Sequence, residues 1–541
     1  MPSAHTMNLA RLLTHTAREF PHRPGLIHGE QRWSWRQIDD RVDALVAALR
    51  GLGVAPGERL LIQSRNSLAM FESAWAAFRM GCVWVPTNFR LTPPEVAVLA
   101  ASSGASVMIA EAVFSGHVDA VLAASPAVRQ VLIVGAAART GNHSGAVPRS
   151  GDHDYETLIA QHLGQHPAEA PVAHDDPLWF FYTSGTTGRP KAAMLTHGQM
   201  AFVVANHLAD LIPGTDERDV SIAVAPLSHG AGVHALMNVA RGVATVLMPS
   251  ERLEPEVFWQ LVERHRVSNV FTVPTIVKML VEHGSVERYD HSSLRFVIYA
   301  GAPMYRTDQK LALQKLGKVL VQYFGMGEVT GCITVQPREM HSADDDSPDA
   351  HIGSCGRVRT GMQLAVLDAE GRELPAGEVG ELCVRGSGVC AGYHDNAAAT
   401  AQALRGGWFH TGDLGRVDER GLVFITGRES DMYISGGSNV YPREVEEVLL
   451  SHPAVAEAAV LGLPDAKWGE IGVAVIVRRP GFEAFDEAAL FGHLEGRCAR
   501  YRWPRRVYFW DALPKSGYGK IVKKELKSML MHSGEVNEVQ A

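Results

Sequence analysis

The chain has 541 residues, 46% of them hydrophobic and 20% charged, and a formal net charge of −8. That length exceeds a single core and predicts roughly two to four globular domains, while the acidic balance argues against nucleic acid or an anionic membrane as the main partner. The six cysteines (Cys82, Cys332, Cys355, Cys383, Cys390 and Cys498) lie far apart without a Cys-x-x-Cys pair, which argues against a disulfide frame or zinc site and for reduced thiols in the cytoplasm.

The first 20 residues carry His5, Arg11, His15, Arg18 and Glu19 and no long apolar stretch, so no secretory signal is expected. No window approaches the ~20 apolar residues of a membrane span, although an apolar substrate leaves peripheral membrane contact open. Val42, Leu45, Val46 and Leu49 recur at helical spacing, and a buried strand is read at 59–62. Strand-like runs at 107–110 and 131–134 each follow a helical stretch, an alternation that predicts an α/β fold layered on a largely parallel sheet. Thr196-His197-Gly198-Gln199 fits a capping box opening a helix with Phe202, Val203 and Leu208.

Three segments, 139–152, 341–351 and 427–439, read as loops. The second gathers Asp344, Asp345, Asp346 and Asp349 between His341 and His351; it suits a metal in principle, but like-charge runs are normally solvated. Near the end, 500–530 holds nine Lys/Arg against Asp511 and Glu525. Lys523, Lys524 and Lys527 fit a charged surface helix. Lys520 instead sits in a glycine loop, Pro514-Lys515-Ser516-Gly517-Tyr518-Gly519-Lys520, from which it can reach towards a polyanionic ligand. No internal repeat is found.

The most informative stretch is Tyr182-Thr183-Ser184-Gly185-Thr186-Thr187-Gly188-Arg189-Pro190-Lys191, preceded by apolar Trp179-Phe180-Phe181. A strand feeding a tight loop is expected. Gly185 and Gly188 let backbone N–H groups turn towards an anion. Ser184, Thr186 and Thr187 add hydroxyl donors, and Lys191 adds a charge suited to phosphate. The spacing is not that of a P-loop, which needs four residues between its first glycine and Gly-Lys-Ser/Thr. By composition alone the loop also fits an ordinary surface turn. As an ordered decapeptide it resembles the phosphate loop of the adenylate-forming superfamily, which includes acyl-CoA synthetases, luciferases and the adenylation domains of peptide synthetases.

Further motifs follow in the superfamily's order. Pro226-Leu227-Ser228-His229-Gly230-Ala231-Gly232 resembles the segment lining the carboxylate pocket, with His229 placed to orient or gate the acid. Ala300-Gly301-Ala302-Pro303 and Gln322-Tyr323-Phe324-Gly325-Met326-Gly327-Glu328 resemble the adenine walls, where a flat ring stacks on the purine. The resemblance implies that Glu328, with Thr183, holds Mg²⁺ beside the phosphates. The usual pattern there is Tyr-Gly-x-Thr-Glu; here Phe324 replaces the tyrosine and Gly327 the threonine, removing a hydroxyl. Trp408-Phe409-His410-Thr411-Gly412-Asp413 matches the ribose motif, with Asp413 accepting the ribose hydroxyls. Gly427-Arg428-Glu429-Ser430-Asp431 resembles the hinge, with Arg428 near ribose or phosphate and Ser430 at the position usually held by Asp or Lys. Ser435-Gly436-Gly437 corresponds to the CoA tunnel, and Pro442 suits the first position of a helix. Lys520 corresponds to the lysine bridging carboxylate and α-phosphate.

The resemblance covers about residues 8–527. It implies a large N-terminal domain (1–427) of layered α/β subdomains with a small barrel-like part, and a small mobile α+β C-terminal domain (428–541). The implied enzyme is an acyl-CoA synthetase using ATP, Mg²⁺ and CoA on a small-molecule carboxylic acid, soluble in the cytoplasm, with a homodimer left open. His229, Gly230, Ala231, Val273, Pro274, Gly325, Met326 and Val329 are expected to line an apolar pocket for a medium- or long-chain fatty acid; an aryl acid fits nearly as well. A free-standing enzyme loading a carrier protein has almost identical motifs. From another class, a non-catalytic nucleotide-binding regulator is favoured by Gly327 and Ser430 and opposed by Lys520, Glu328 and Asp413.

Overall fold

A computed structural model describes residues 5–135, 152–184, 190–302, 304–428, 430–435, 438–465, 468–515 and 521–532. The expected alternation is present. Arg59–Gln63, Val107–Glu111 and Gln130–Val134 pair in parallel within a seven-stranded sheet, whose far edge is the antiparallel hairpin Pro177–Ser184 and Pro190–Thr196. A second sheet of thirteen strands is parallel at its centre: Val220–Ala223, Asn269–Thr272, Phe296–Tyr299 and Leu320–Phe324 run side by side.

Where the parallel set ends, the same ladder continues antiparallel through Thr334–Gln336, Ser354–Val358, Leu422–Arg428, Phe409–Val417, Gly380–Gly386 and Met362–Leu367. These last five strands enclose a small core of Cys355, Val366, Leu382 and Val423. The barrel-like part is thus an extension of the large sheet. Sheet membership changes after Arg428: Tyr433–Ser435 and Ser438–Val440 belong to a separate five-stranded sheet with Val455–Asp465, Gly469–Arg478 and Arg506–Phe509.

Between the two large sheets lies a core of Trp35, Trp75, Phe78, Trp84 and Trp179, all at most 2% exposed. The helix Leu68–Met80 is buried along nearly its whole length, and Trp84 meets Trp179 edge-on at 4.7 Å. Burying each such side chain is worth about 1.5–3 kcal/mol, and the cluster they belong to takes in residues of both sheets. The predicted capping box is formed: Thr196 Oγ1 accepts from Gln199 N at 3.1 Å, starting the helix His197–Asp210. Pro442 opens the helix Pro442–Leu450. Contacts from this last part to the rest include Arg443 Nη1 donating to Ile425 O at 3.0 Å and an Arg479–Glu282 ion pair at 3.2 Å.

The segment 427–439, expected to be a loop, instead carries the short paired strands Tyr433–Ser435 and Ser438–Val440, whereas 341–351 is a loop with Asp344, Asp345 and Asp346 exposed, as expected, apart from its first residue. His341 is 0% exposed, its ring nitrogens within 3.1 Å of the Tyr299 hydroxyl and 3.0 Å of Pro337 O; it is a core residue. Asp345 is exposed and pairs with Arg306 at 2.8 Å and with Lys310. Asp345 is therefore neutralised by neighbouring cations, and among the described residues the acidic segment forms no group poised for a metal. No helix among the described residues is long and apolar enough to cross a membrane.

Candidate active site

The hairpin that carries the phosphate loop brings Thr183 opposite Lys191. Gly185, Thr186, Thr187 and Gly188 of its turn lie outside the described residues, as do Pro303, Gly436, Gly437 and Lys520; of Ser184, the backbone pairs with Pro190. Beside the hairpin, the strand Leu320–Phe324 ends in the short 3-10 turn Gly327–Val329. That turn aims Glu328, 7% exposed, back at the hairpin. The Thr183 hydroxyl donates to Glu328 Oε1 at 3.0 Å, and the Tyr393 hydroxyl donates to the same oxygen at 3.0 Å. Cys390 N donates to Glu328 O at 2.8 Å, fixing the turn from behind. Lys191 Nζ stands 5.3 Å from the Tyr393 ring centre. One carboxylate and one hydroxyl oxygen side by side suit Mg²⁺, which takes hard oxygen ligands from few protein groups and completes its shell with water and phosphate.

Gly327 has a packing reason. A Cβ there would lie 2.5 Å from Phe181 Cδ1 and 2.9 Å from Thr183 Cγ2. The Phe181 ring occupies the space that the usual threonine needs. Phe181 was invisible as a site residue because it sits in an apolar strand run that any core strand could have.

On the nucleoside side, Gly301 has φ +81°, a backbone value glycine tolerates at no steric cost, and follows the strand Phe296–Tyr299. Ala302 is next in the chain, and Gln322 and Phe324 share one face of the neighbouring strand; the Tyr299 hydroxyl donates to Gln322 Oε1 at 3.1 Å. Tyr323 differs from expectation. Strand alternation sends it to the opposite face, where its ring stacks on Phe271 (5.9 Å, 17°) and meets His207 edge-on at 6.0 Å. Gly325 is pressed against Gly331, whose Cα is 2.3 Å from where a Cβ would be. Asp413, 5% exposed, accepts from Arg428 Nε at 3.1 Å. Its turn is held by Glu381, which accepts from Gly412 N at 3.0 Å and lies 2.7 Å from His410 Nδ1.

His229 heads the helix Gly230–Ala240. Its ring lies 4.3 Å from Phe181, tilted by 38°, and burial lowers its pKa to about 4. It therefore acts as a neutral hydrogen-bonding group at physiological pH. Gly230 lies under Phe271: a Cβ would sit 2.8 Å from Phe271 Cζ. Val273, half-buried, caps the helix Pro274–Glu282 and approaches Gly301, its Cγ1 3.8 Å from a Cβ built there. Met326 is half-buried and packs on the main core, whereas Val329 is 0% exposed and belongs to that core; its place is behind the pocket. Ser430 is exposed, its hydroxyl 3.4 Å from Asp431 Oδ1. Ser435 pairs with Ser438 and Gly469.

Sequence reasoning missed Tyr393, Phe271 and Phe181, each far along the chain from the group it touches. The one trio of His, Cys and acidic residues among the described residues close enough for a metal, Glu381, Cys383 and His410, is already engaged in holding the Asp413 turn.

Comparison with known proteins gives a consistent result. Residues 13–394 match the AMP-binding enzyme family and residues 444–520 match the AMP-binding enzyme C-terminal domain. A feruloyl-CoA synthase of Amycolatopsis is 37% identical over 513 residues, covering 94% of this chain and 96% of that protein. An indoleacetate–CoA ligase of Aromatoleum aromaticum is 30% identical over 525 residues, 97% and 98% of the two chains. The structure of ATP-bound MatB from Rhodopseudomonas palustris superimposes with a TM-score of 0.84 at 27% identity, covering 97% of this chain and 99% of that one. With both parts of the family matched in order over the same two sheet systems, the chain belongs to the AMP-binding enzymes of the adenylate-forming superfamily.

Proposed function

We propose that the chain is an AMP-forming ligase that joins an aryl-substituted carboxylic acid to coenzyme A. The carrying observation is the aromatic enclosure of the acyl side. Phe181 leans on His229 at 4.3 Å, and Phe271, packed on Gly230, is stacked with Tyr323. Such walls favour a flat ring over a long alkyl chain, since aromatic faces in contact add about 0.5–1.5 kcal/mol beyond area burial. The aryl acids in the relatives' names point the same way.

In this reading a carboxylate oxygen attacks the α-phosphorus of ATP and pyrophosphate leaves. The CoA thiol then attacks the acyl carbon of the adenylate and AMP leaves. Both reactants of the first step are anionic, so the protein's work is positioning and neutralisation. Lys191 and the glycine turn receive the phosphates, Asp413 the ribose hydroxyls, Phe324 the purine, and Lys520 bridges carboxylate and phosphate. Mg²⁺ held by Glu328 and Thr183 would spread the charge of the leaving pyrophosphate. Neutral His229 orients the acid by a hydrogen bond without adding a charge. The proposed domains are 1–427 and 428–541, with the pivot at Ser430 and CoA entering past Ser435, Gly436 and Gly437.

Gly327, which in isolation favours a non-catalytic regulator, has the packing cause given above. The five buried free cysteines fit a reducing compartment such as the cytoplasm. The test is pyrophosphate release and acyl-CoA formation with benzoate-, phenylacetate- and cinnamate-type acids beside fatty acids of graded length. Aryl acids should give the highest kcat/KM. A maximum at a long fatty acid would overturn the aryl assignment; absence of ATP-dependent pyrophosphate release with any acid would overturn the ligase reading.

A further inference from the structure

The turn that leads into His229 is gripped from the other large sheet. After the strand Val220–Ala223 the chain passes through Ala225, Pro226, Leu227 and Ser228 to His229. Proline offers no N–H of its own for fixing such a turn. The fixing bonds are made across it by one side chain: Asn66 Nδ2 donates to Ala225 O at 2.9 Å, and Asn66 Oδ1 accepts from Leu227 N at 2.8 Å. The amide thereby holds the peptide units on both sides of Pro226, and these two partners settle which end of it is oxygen and which nitrogen. The planar peptide unit between Pro226 and Leu227 then passes the placement on, since its oxygen accepts from His229 N at 3.1 Å.

Asn66 is itself pinned on both sides. Next to it, the Ser67 hydroxyl accepts from Met70 N at 3.1 Å and caps the helix Leu68–Met80. Before it, Arg65 is bound to Glu111, the last residue of the strand Val107–Glu111. Glu111 Oε1 accepts from Arg65 N and from the Ser64 hydroxyl, each at 2.7 Å, and Oε2 accepts from Arg65 Nε at 2.8 Å. Glu111 is 9% exposed, so these are charge-assisted bonds largely shielded from water, the stronger kind. Apolar packing between the two sheets tolerates small slippage, whereas hydrogen bonds weaken steeply when misaligned. Two of them from one amide therefore specify where the turn before His229 lies.

We infer that Asn66 is a positioning residue for the acid site: its bonds to Ala225 and Leu227 fix the Pro226 carbonyl, that carbonyl fixes His229 N, and the His229 ring is thereby held where it orients the carboxylate. This rests on the ligase reading, in which His229 performs that task. ATP is assigned to other elements, with Thr183 and Lys191 on the hairpin and Asp413 on the strand Phe409–Val417. Loosening the Asn66 clamp should therefore be felt by the acid and not by the nucleotide.

The test takes the acid that the wild type turns over best and measures its kcat/KM at saturating ATP, beside the dissociation constant of ATP, in the full chain carrying Asn66→Ala, His229→Ala or both. Asn66→Ala should lower kcat/KM for the acid by about tenfold or more, the scale of misplacing an orienting group by a fraction of an ångström to about 1 Å, with ATP affinity unchanged. His229→Ala should lower it as well. Adding Asn66→Ala to His229→Ala should cost no more than about a further twofold, because the group through which Asn66 acts is gone. Asn66→Asp keeps the shape and the acceptor but cannot donate to Ala225 O; it should show the same loss of kcat/KM only where His229 is present, and it carries the comparison if Asn66→Ala does not fold. An unchanged kcat/KM, the same loss with and without His229, or a loss of ATP binding in both Asn66 variants overturns this inference alone. No turnover of any acid by the wild type overturns it together with the ligase reading.

Discussion

At the scale of single residues, the departure before Glu328 is a steric exchange. The superfamily pattern has a threonine there, and this chain has Gly327 because the Phe181 ring fills the space a Cβ would need. The glycine was legible in the sequence; its cause was not, since Phe181 approaches through space from another strand. Gly327→Thr alone should therefore destabilise the protein by about 1–3 kcal/mol, the usual cost of overpacking, seen as a lower midpoint in chemical denaturation. Adding Phe181→Leu should relieve the clash, giving a coupling of about 1 kcal/mol or more between the two sites in a double-mutant cycle. Strictly additive effects would show that Phe181 is not the obstacle.

At the scale of elements, the strands, the helix caps and the hairpin were readable because their signals are local: a capping box, a proline at a helix start, an apolar run of strand length. What the elements bury was less readable. His197 and His207 on the helix His197–Asp210, His229 and His234 at the next, and His341 in a loop are all held below their usual pKa, chiefly by burial. For His197, His229, His234 and His341 the folded value is about 4. Above the unfolded value of about 6.5 both states are neutral and the histidines exert no pH dependence. As pH falls from there towards 4, the unfolded chain binds protons that the folded one refuses, so stability is lost. Glu72, raised by burial to about 7, and Glu447, raised to about 6, act oppositely, since the folded state protonates them first. The histidines outnumber them. Unfolding free energy should fall by at least about 1.4 kcal/mol per pH unit below 6.5, one net proton's worth, in urea melts from about pH 7.5 to about pH 5. A flat profile across that interval would show that these rings are already protonated in the folded protein.

For the whole molecule, the order of the motifs along the chain was enough to identify the family and the two-part plan, because each motif is a short contiguous stretch. The aromatic enclosure beside His229 was not legible for the opposite reason: its rings, Phe181, Phe271 and Tyr323, come from a hairpin strand of one sheet and two strands of another. The change of sheet after Arg428, with polar links such as Arg443 to Ile425 O and Arg479 to Glu282 spanning the two parts, fits a C-terminal domain that can turn between two tasks. In one orientation Lys520 would meet the carboxylate and α-phosphate; in the other, the Gly436–Gly437 turn would line the path of the CoA thiol. The two half-reactions should then separate by mutation. Lys520→Ala should slow adenylate formation, followed as pyrophosphate release, by about 10²-fold or more, the scale of losing one group that stabilises charge in the transition state. It should leave thioester formation from a supplied acyl-adenylate near the wild-type rate. Gly437→Leu should do the reverse, because a side chain at that turn narrows the thiol's route without touching ATP. If either variant slows both half-reactions equally, a single fixed orientation serves both steps and the two-task arrangement is wrong.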